Sequence, residues 1–149
     1  MAKNYKEFDV KRPGFTDSVK IRIYKTPESM RKGYLEEWNK FHPHKKNSED
    51  LYDSVGLFYP TGYLVADHIG GRFTSNIYGI MFFNEKFTTQ EIIVHECAHA
   101  AFSHEKNIER FGMDYSEDDA MIHEERFAYY LGWLSYMALD ILKKQGYLR

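Results

Sequence analysis

Two histidines four residues apart offer the clearest chemistry in this chain. His95-Glu96-Cys97-Ala98-His99 has the pattern H-E-x-x-H. On an α-helix, residues four apart lie one turn above each other on the same face, so both imidazoles can bind one Zn²⁺. Glu96 can then reach a water on the metal and act as its general base. The pattern therefore predicts a zinc site with His95 and His99 as ligands and Glu96 as the catalytic residue.

The residues around the motif favour a helix. Thr88 and Glu91 have the spacing of a capping box, and no glycine or proline occurs between Gln90 and His104. We therefore predict a helix from about Thr89 to His104. A shuffled chain of this composition would contain the pattern in roughly 3 of 100 cases, so the helical context carries much of the prediction. Cys97 points to the far side of that helix and is predicted to be a core residue.

A catalytic zinc site usually has three protein ligands and one open position. The motif supplies two, and four residues are candidates for the third: His104, His123, Glu124 and Glu125. The metzincin pattern requires Gly seven residues and His ten residues after the first histidine, where this chain has Phe102 and Glu105. That pattern therefore does not apply.

The motif together with Glu125-Arg126-Phe127-Ala128 resembles the H-E-x-x-H … E-x-x-A pattern of gluzincin-type zinc peptidases. From about Thr88 to Leu134, the chain is similar to ImmA/IrrE-type peptidases and to the metallopeptidase-like domain of ArdC-type antirestriction proteins. The shared residues are His104, Arg110-Phe111-Gly112 and Glu124 to Ala128.

The resemblance implies that Glu125 is the third zinc ligand. Tyr129 departs from the family pattern, which usually has an acidic residue or Asn there. The apolar stripe of the helix that contains these residues favours Glu124 instead. Glu124 and Glu125 therefore both remain candidates for the third ligand. An oxyanion donor is also expected, and the candidates are Tyr115, His104 and His123.

The remaining chain predicts a single α+β domain over residues 1–149, with residues 1–17 as a flexible arm. A strand is expected at 18–24. A helix is expected from Pro27 to about Phe41, with Thr26 as its N-cap. Three apolar runs at 54–59, 63–68 and 76–84 predict an antiparallel or mixed sheet of about three or four strands. The third run is predicted to bind an extended peptide by strand addition, and its Gly79 indicates a bulge or a close backbone approach.

A long apolar helix is predicted from about Glu117 to Lys144, closed by Gly146. A helix that is apolar on nearly every side must be buried or packed against a second subunit, as in a homodimer. Together with the motif helix and the N-terminal helix, it completes a minimal zincin-like arrangement.

Composition narrows the function classes further. The net charge of −2 gives no general reason to expect binding to nucleic acid, and no apolar run is long enough to cross a membrane. The polar N-terminus and the single cysteine indicate the cytoplasm.

We therefore predict a zinc metallopeptidase that acts on a protein or peptide. The alternative is a zinc-binding, peptidase-like interaction protein, of antirestriction or regulatory type, without significant hydrolysis. Glu96 weighs against the alternative because a purely structural zinc site does not need a general base.

Overall fold

The structure, a computed structural model, describes residues 3–11, 18–42, 54–60, 64–65, 73–74, 77–110 and 117–148. Its elements confirm the predicted α+β class. The helices are α1 (Pro27–Phe41), α2 (Gln90–Arg110) and α3 (Glu117–Lys144). The strands are β1 (Tyr5–Lys11), β2 (Ser18–Tyr24), β3 (Leu57–Tyr59), β4 (Leu64–Val65), β5 (Phe73–Thr74) and β6 (Ile77–Asn84).

Four of the strands form a mixed sheet in the order β1-β2-β6-β3. β2 and β6 are parallel, whereas β1 and β3 pair antiparallel to their neighbours. β4 and β5 form a separate two-stranded sheet. The mixed pairing arises because α1 lies between β2 and the later strands, and a parallel neighbour requires such a crossover.

The prediction of a flexible arm over residues 1–17 is wrong for residues 5–11. These residues form β1, which pairs with β2 from Tyr5 opposite Tyr24 to Lys11 opposite Ser18. Val10 is buried in the core and Phe8 packs against it. Charged residues alternate with these apolar residues, so the segment is mostly polar in sequence and does not resemble an apolar strand.

The sheet lies between two helical layers. Alternate side chains of β2 and β6 point to opposite faces, so each strand contributes to two cores. One core contains Ile21, Ile23, Met81 and Phe83 and packs against α2 and α3. The other contains Ile80 and Phe82 and packs against Met30 and Tyr34 of α1.

The strand available at the edge differs from the predicted one. β6, which includes most of the third apolar run, is paired on both sides and is therefore closed to strand addition. β3 occupies the edge of the described sheet on that side. The difference has a physical reason, since a continuous apolar run is typical of a strand with both faces buried.

The prediction for Gly79 is confirmed. One extra residue of β6 interrupts the pairing with β2, because Ser18 pairs with Ile77 and Val19 with Gly79. A Cβ atom on Gly79 would lie 2.3 Å from the ring of Phe58, so any other residue here would force that ring to move. The backbone of β6 and the β3 side chain thus approach each other closely.

α1 and α3 agree with their predictions. Thr26 caps α1 and forms a capping box with Ser29. Gly146, with φ of 83°, follows the end of α3. α3 is not buried all round, since Tyr129 and Tyr136 are largely exposed. Across the described part of the chain, no helix combines the length and apolar character that a membrane span requires.

The motif helix α2 was predicted to begin at about Thr89, and it begins one residue later, at Gln90. The Thr89 hydroxyl accepts a hydrogen bond from Ile92 N–H at 3.3 Å, whereas the Thr88 hydroxyl donates to the Asn84 carbonyl. The predicted Thr88–Glu91 capping box is therefore wrong. α2 also continues to Arg110, six residues beyond its predicted end at His104.

Candidate metal centre

The two histidines of the motif meet on the exposed face of α2. The Nε2 atoms of His95 and His99 are 3.2 Å apart, and the two rings meet edge to face with centroids 4.9 Å apart. Two nitrogens bound to one tetrahedral zinc at its usual bond length lie about 3.3 Å apart. The pair therefore presents two ring nitrogens at the spacing of two ligands of one metal.

The electrostatics of the pair favour the neutral ring that a metal ligand needs. Partial burial of His99, and then its neighbour His95, lower the pKa of the His99 imidazole below its usual value. A neutral imidazole keeps a lone pair for a metal, whereas a protonated one does not. His95 remains accessible, with 67% of its side chain exposed.

Glu96 lies on a different side of α2 from the exposed pair and is buried, with 4% of the residue exposed. Its Oε1 is 3.9 Å from His95 Nε2. Burial disfavours the carboxylate charge and raises the pKa of Glu96 to about 7. A carboxyl group with that pKa can both accept and return a proton near neutral pH.

The segment before β3 covers the Glu96 side of α2. A Cβ atom on Gly56 would lie 3.3 Å from Glu96 Oε1, so the chain at Gly56 passes close to this carboxyl group. β3 follows immediately and is an edge strand. The edge of the sheet and the candidate base are therefore neighbours.

Glu125, the predicted third ligand, is not brought to the pair. Within the ranges that the structure describes, no group of three or more His, Cys, Asp or Glu side chains converges on a common metal position. Glu124 and Glu125 are both exposed on α3. Glu125 lies nine residues before the buried Leu134, which is half a turn around the helix, so it is on the solvent side of α3.

The contact between α2 and the start of α3 explains this placement. Arg126 Nη2 donates to Glu105 Oε1 at 2.6 Å, and Arg126 Nε donates to both carboxylate oxygens at 3.1 and 3.3 Å. Glu105 is six residues beyond His99, or about 9 Å along the axis of α2. The guanidinium group of Arg126, the neighbour of Glu125, is thus bound at a point on α2 beyond the histidine pair. The third ligand stays a prediction.

His104 is turned away from the metal candidates. It is buried, and its ring stacks on Tyr130 with centroids 4.0 Å apart. Nine residues separate it from His95, which is half a turn around the same helix. His104 is therefore neither a ligand beside the pair nor an oxyanion donor there. The other two oxyanion candidates, Tyr115 and the side chain of His123, lie outside the described residues.

The prediction for Cys97 is confirmed. Its side chain is fully buried in the core beneath α2, with the sulfur 3.8 Å from Met81 Sδ. Burial raises the pKa of this thiol to about 12, so it carries no thiolate near neutral pH. Cys97 is a packing residue and not a metal ligand.

Sequence reasoning missed three residues that shape the site: Gly56, Asn84 and Glu105. Asn84 is a polar residue at the end of an apolar strand, which is a signal for a buried hydrogen-bonding role. Glu105 entered the sequence argument only as a failed metzincin position. No sequence pattern indicates that Gly56 contacts Glu96, because that contact joins residues forty positions apart.

Comparisons with protein-family models, with curated proteins and with solved structures find no match to this chain. The gluzincin resemblance therefore rests on the motif residues alone. The functional argument depends on the geometry around His95, Glu96 and His99.

Proposed function

We propose that this protein is a zinc-dependent metallopeptidase. The observation that carries the proposal is the arrangement of three motif side chains. Two accessible imidazoles have their Nε2 atoms 3.2 Å apart, and a buried carboxyl group lies 3.9 Å from one of them. A structural metal site has no use for such a carboxyl group, whereas hydrolysis needs one.

The residues would divide the work as follows. His95 and His99 hold the metal, which when bound supplies Lewis-acid activation of water and of the peptide carbonyl. Glu96 accepts the proton of the attacking water and then delivers it to the leaving amine. Burial raises the pKa of Glu96 in the zinc-free protein, which favours a carboxyl group able to hold the proton between the two transfers.

We propose that the substrate is an extended protein or peptide segment. β3 has a backbone edge beside Glu96, and an extended segment can add to such an edge through main-chain hydrogen bonds. That mode of binding would bring a peptide carbonyl near the histidine pair. The single cysteine of the chain fits a reducing compartment, and we propose the cytoplasm.

The third ligand would come from the beginning of α3. The E-x-x-A spacing favours Glu125, and Glu124 and His123 are its competitors. Two imidazoles alone make an incomplete catalytic site, because three protein ligands are usual.

One observation favours the second candidate, a zinc-binding interaction protein without hydrolysis. The described side chains present two converging ligands rather than three. Such a protein would bind zinc weakly and would not depend on Glu96 for its activity. The buried Glu96 is the reason to prefer the peptidase.

The test combines metal content with a search for cleavage. Elemental analysis should find about one zinc per chain in the wild type and none in His99→Ala. A proteome-derived peptide library, incubated with the wild type and read by mass spectrometry, should gain new termini. Glu96→Gln should keep its zinc and lose about 10²-fold or more in rate, because the amide cannot accept the proton.

Two results would count against the proposal. Full zinc content in His99→Ala would mean that the site does not exist. A zinc-loaded wild type that produces no new termini would favour the interaction protein.

A further inference from the structure

Gly56 packs its backbone against the turn of α2 that carries Glu96. A Cβ atom built on Gly56 would lie 2.7 Å from Ile92 Cγ2, and 3.3 Å from both Cγ and Oε1 of Glu96. The first distance is shorter than real Cβ contacts, so any other residue here would force the Ile92 side chain or the neighbouring backbone to shift. The glycine is needed here for close approach.

The backbone beside Gly56 is fixed by a buried amide. Asn84, at the end of β6, is fully buried. Its Nδ2 donates to the carbonyl of Val55 at 2.9 Å, and its Oδ1 accepts from Phe87 N–H at 2.9 Å. One side chain thus connects the residue before Gly56 with the segment that leads into α2.

A second anchor holds the same segment from the other side. Arg31 Nε of α1 donates to the carbonyl of Ser54 at 2.9 Å. Two consecutive carbonyl groups, those of Ser54 and Val55, are therefore bound by side chains from α1 and β6. Buried amides cost free energy unless they are hydrogen-bonded, and here both ends of Asn84 are bonded to backbone.

We propose that Asn84 is a positioning residue for Glu96, acting through the backbone of Gly56. Asn84 sets the distance between the segment before β3 and the start of α2, and Gly56 then forms the wall against which the Glu96 carboxyl group rests. The carboxyl group is held in this way beside the histidine pair, and its Oε1 lies 3.9 Å from His95 Nε2. The catalytic meaning of this arrangement rests on the proposed peptidase function.

The first test variant is Gly56→Ala. The added methyl should displace the Glu96 carboxyl group without touching the exposed histidines, so zinc affinity measured by chelator competition should stay at the wild-type value. The kcat for one peptide that the wild type cleaves should fall about tenfold or more at unchanged KM, because small misplacements of a catalytic group are costly. A crystal structure of the variant should show the carboxyl group moved away from Gly56.

The second variant, Asn84→Asp, keeps the size of the side chain and the acceptor for Phe87 N–H but loses the donor to Val55. It should lower kcat in the same way, and it keeps the inference testable if Gly56→Ala does not fold. Val10→Ala is the control, since Val10 lies in β1, at the opposite edge of the sheet from β3. It should lower the melting temperature without a selective loss of kcat.

The outcomes separate this inference from the proposed function. If the wild type cleaves no peptide, the peptidase proposal fails, and the positions of the Glu96 carboxyl group in crystal structures of Gly56→Ala and Asn84→Asp decide the positioning role. An unmoved carboxyl group would overturn the inference whether or not the wild type is a peptidase. The inference would also be overturned if the loss of kcat in Gly56→Ala and Asn84→Asp only followed their loss of melting temperature, as expected for Val10→Ala.

Discussion

The two helices on the same face of the sheet contribute to the candidate site in different ways. α2 carries His95, Glu96 and His99, and this single element brings His95 to 3.2 Å from His99 and to 3.9 Å from Glu96. α3 carries Glu125, whose side chain is exposed on the solvent side of its helix. Both helices were predicted from the sequence, but only the first assembles the residues assigned to it.

The difference follows from how the distances are determined. Within α2, the spacing of four residues places the two imidazoles on one face whatever the rest of the chain does. Between α2 and α3, the distance depends on packing and on which side chains cross the interface. Here Arg126 pairs with Glu105, about 9 Å along α2 from His99, and buried α3 residues such as Leu134 and Ala138 pack in the same core as α2.

The largest expected effect concerns the contribution of α3. Glu125→Ala should weaken zinc binding more than Glu124→Ala, since the loss of a true ligand leaves only two histidines. The loss of a neighbouring group should change affinity by no more than about 10–100-fold. Competition with a chelator measures both variants under the same conditions.

Other results of the chelator competition would change which residue of α3 is assigned as the third ligand. A larger loss in Glu124→Ala would move the ligand one residue and make the apolar stripe of α3 the better guide. Small and equal losses would point to His123, because His104 faces away from the pair. They would also remove the support for the gluzincin resemblance.

A second prediction concerns the buried side of α2. The folded protein holds the Glu96 proton up to about pH 7, because burial raises the pKa of this carboxyl group, whereas the unfolded chain releases it near pH 4.5. The folded state therefore binds more protons in this window, and stability falls as pH rises through it. For the zinc-free protein the loss from this group is about 3 kcal/mol.

Urea unfolding of the zinc-free protein at a series of pH values from 4 to 8 measures this dependence. Glu96→Gln should lack it, and the difference between the two proteins isolates Glu96 from His99, whose lowered pKa acts in the opposite direction. Parallel pH profiles for the two proteins would mean that Glu96 is not buried as described.

The smallest expected effect concerns the link between the helices. Glu105→Gln removes a buried negative charge from the pair with Arg126 and should cost about 2 kcal/mol of stability. Asp140→Asn is the matched control on α3, because its pair with Lys144 is exposed and should contribute nothing measurable. Equal stabilities of the two variants would show that the Glu105 pair does not hold the helices together.

Much of the fold was accessible to sequence reasoning because the signals are local. Thr26 and Pro27 mark the start of α1, and Gly146 marks the end of α3. β1 was missed because its apolar residues are interrupted by charges and its pairing with β2 is a tertiary contact. The start of α2 was misplaced by one residue because Thr88 and Thr89 offer similar caps.

By itself, the sequence determined the α+β class and the presence of two imidazoles on one face of a helix. Helical periodicity and capping are properties of neighbouring residues, so they can be read without knowing what packs against them. Only the tertiary structure decided that β3 forms the edge beside Glu96, that Gly56 and Asn84 shape its surroundings, and that Glu125 lies away from the histidines. Each of these depends on contacts between residues distant in sequence, and no local pattern encodes such distances.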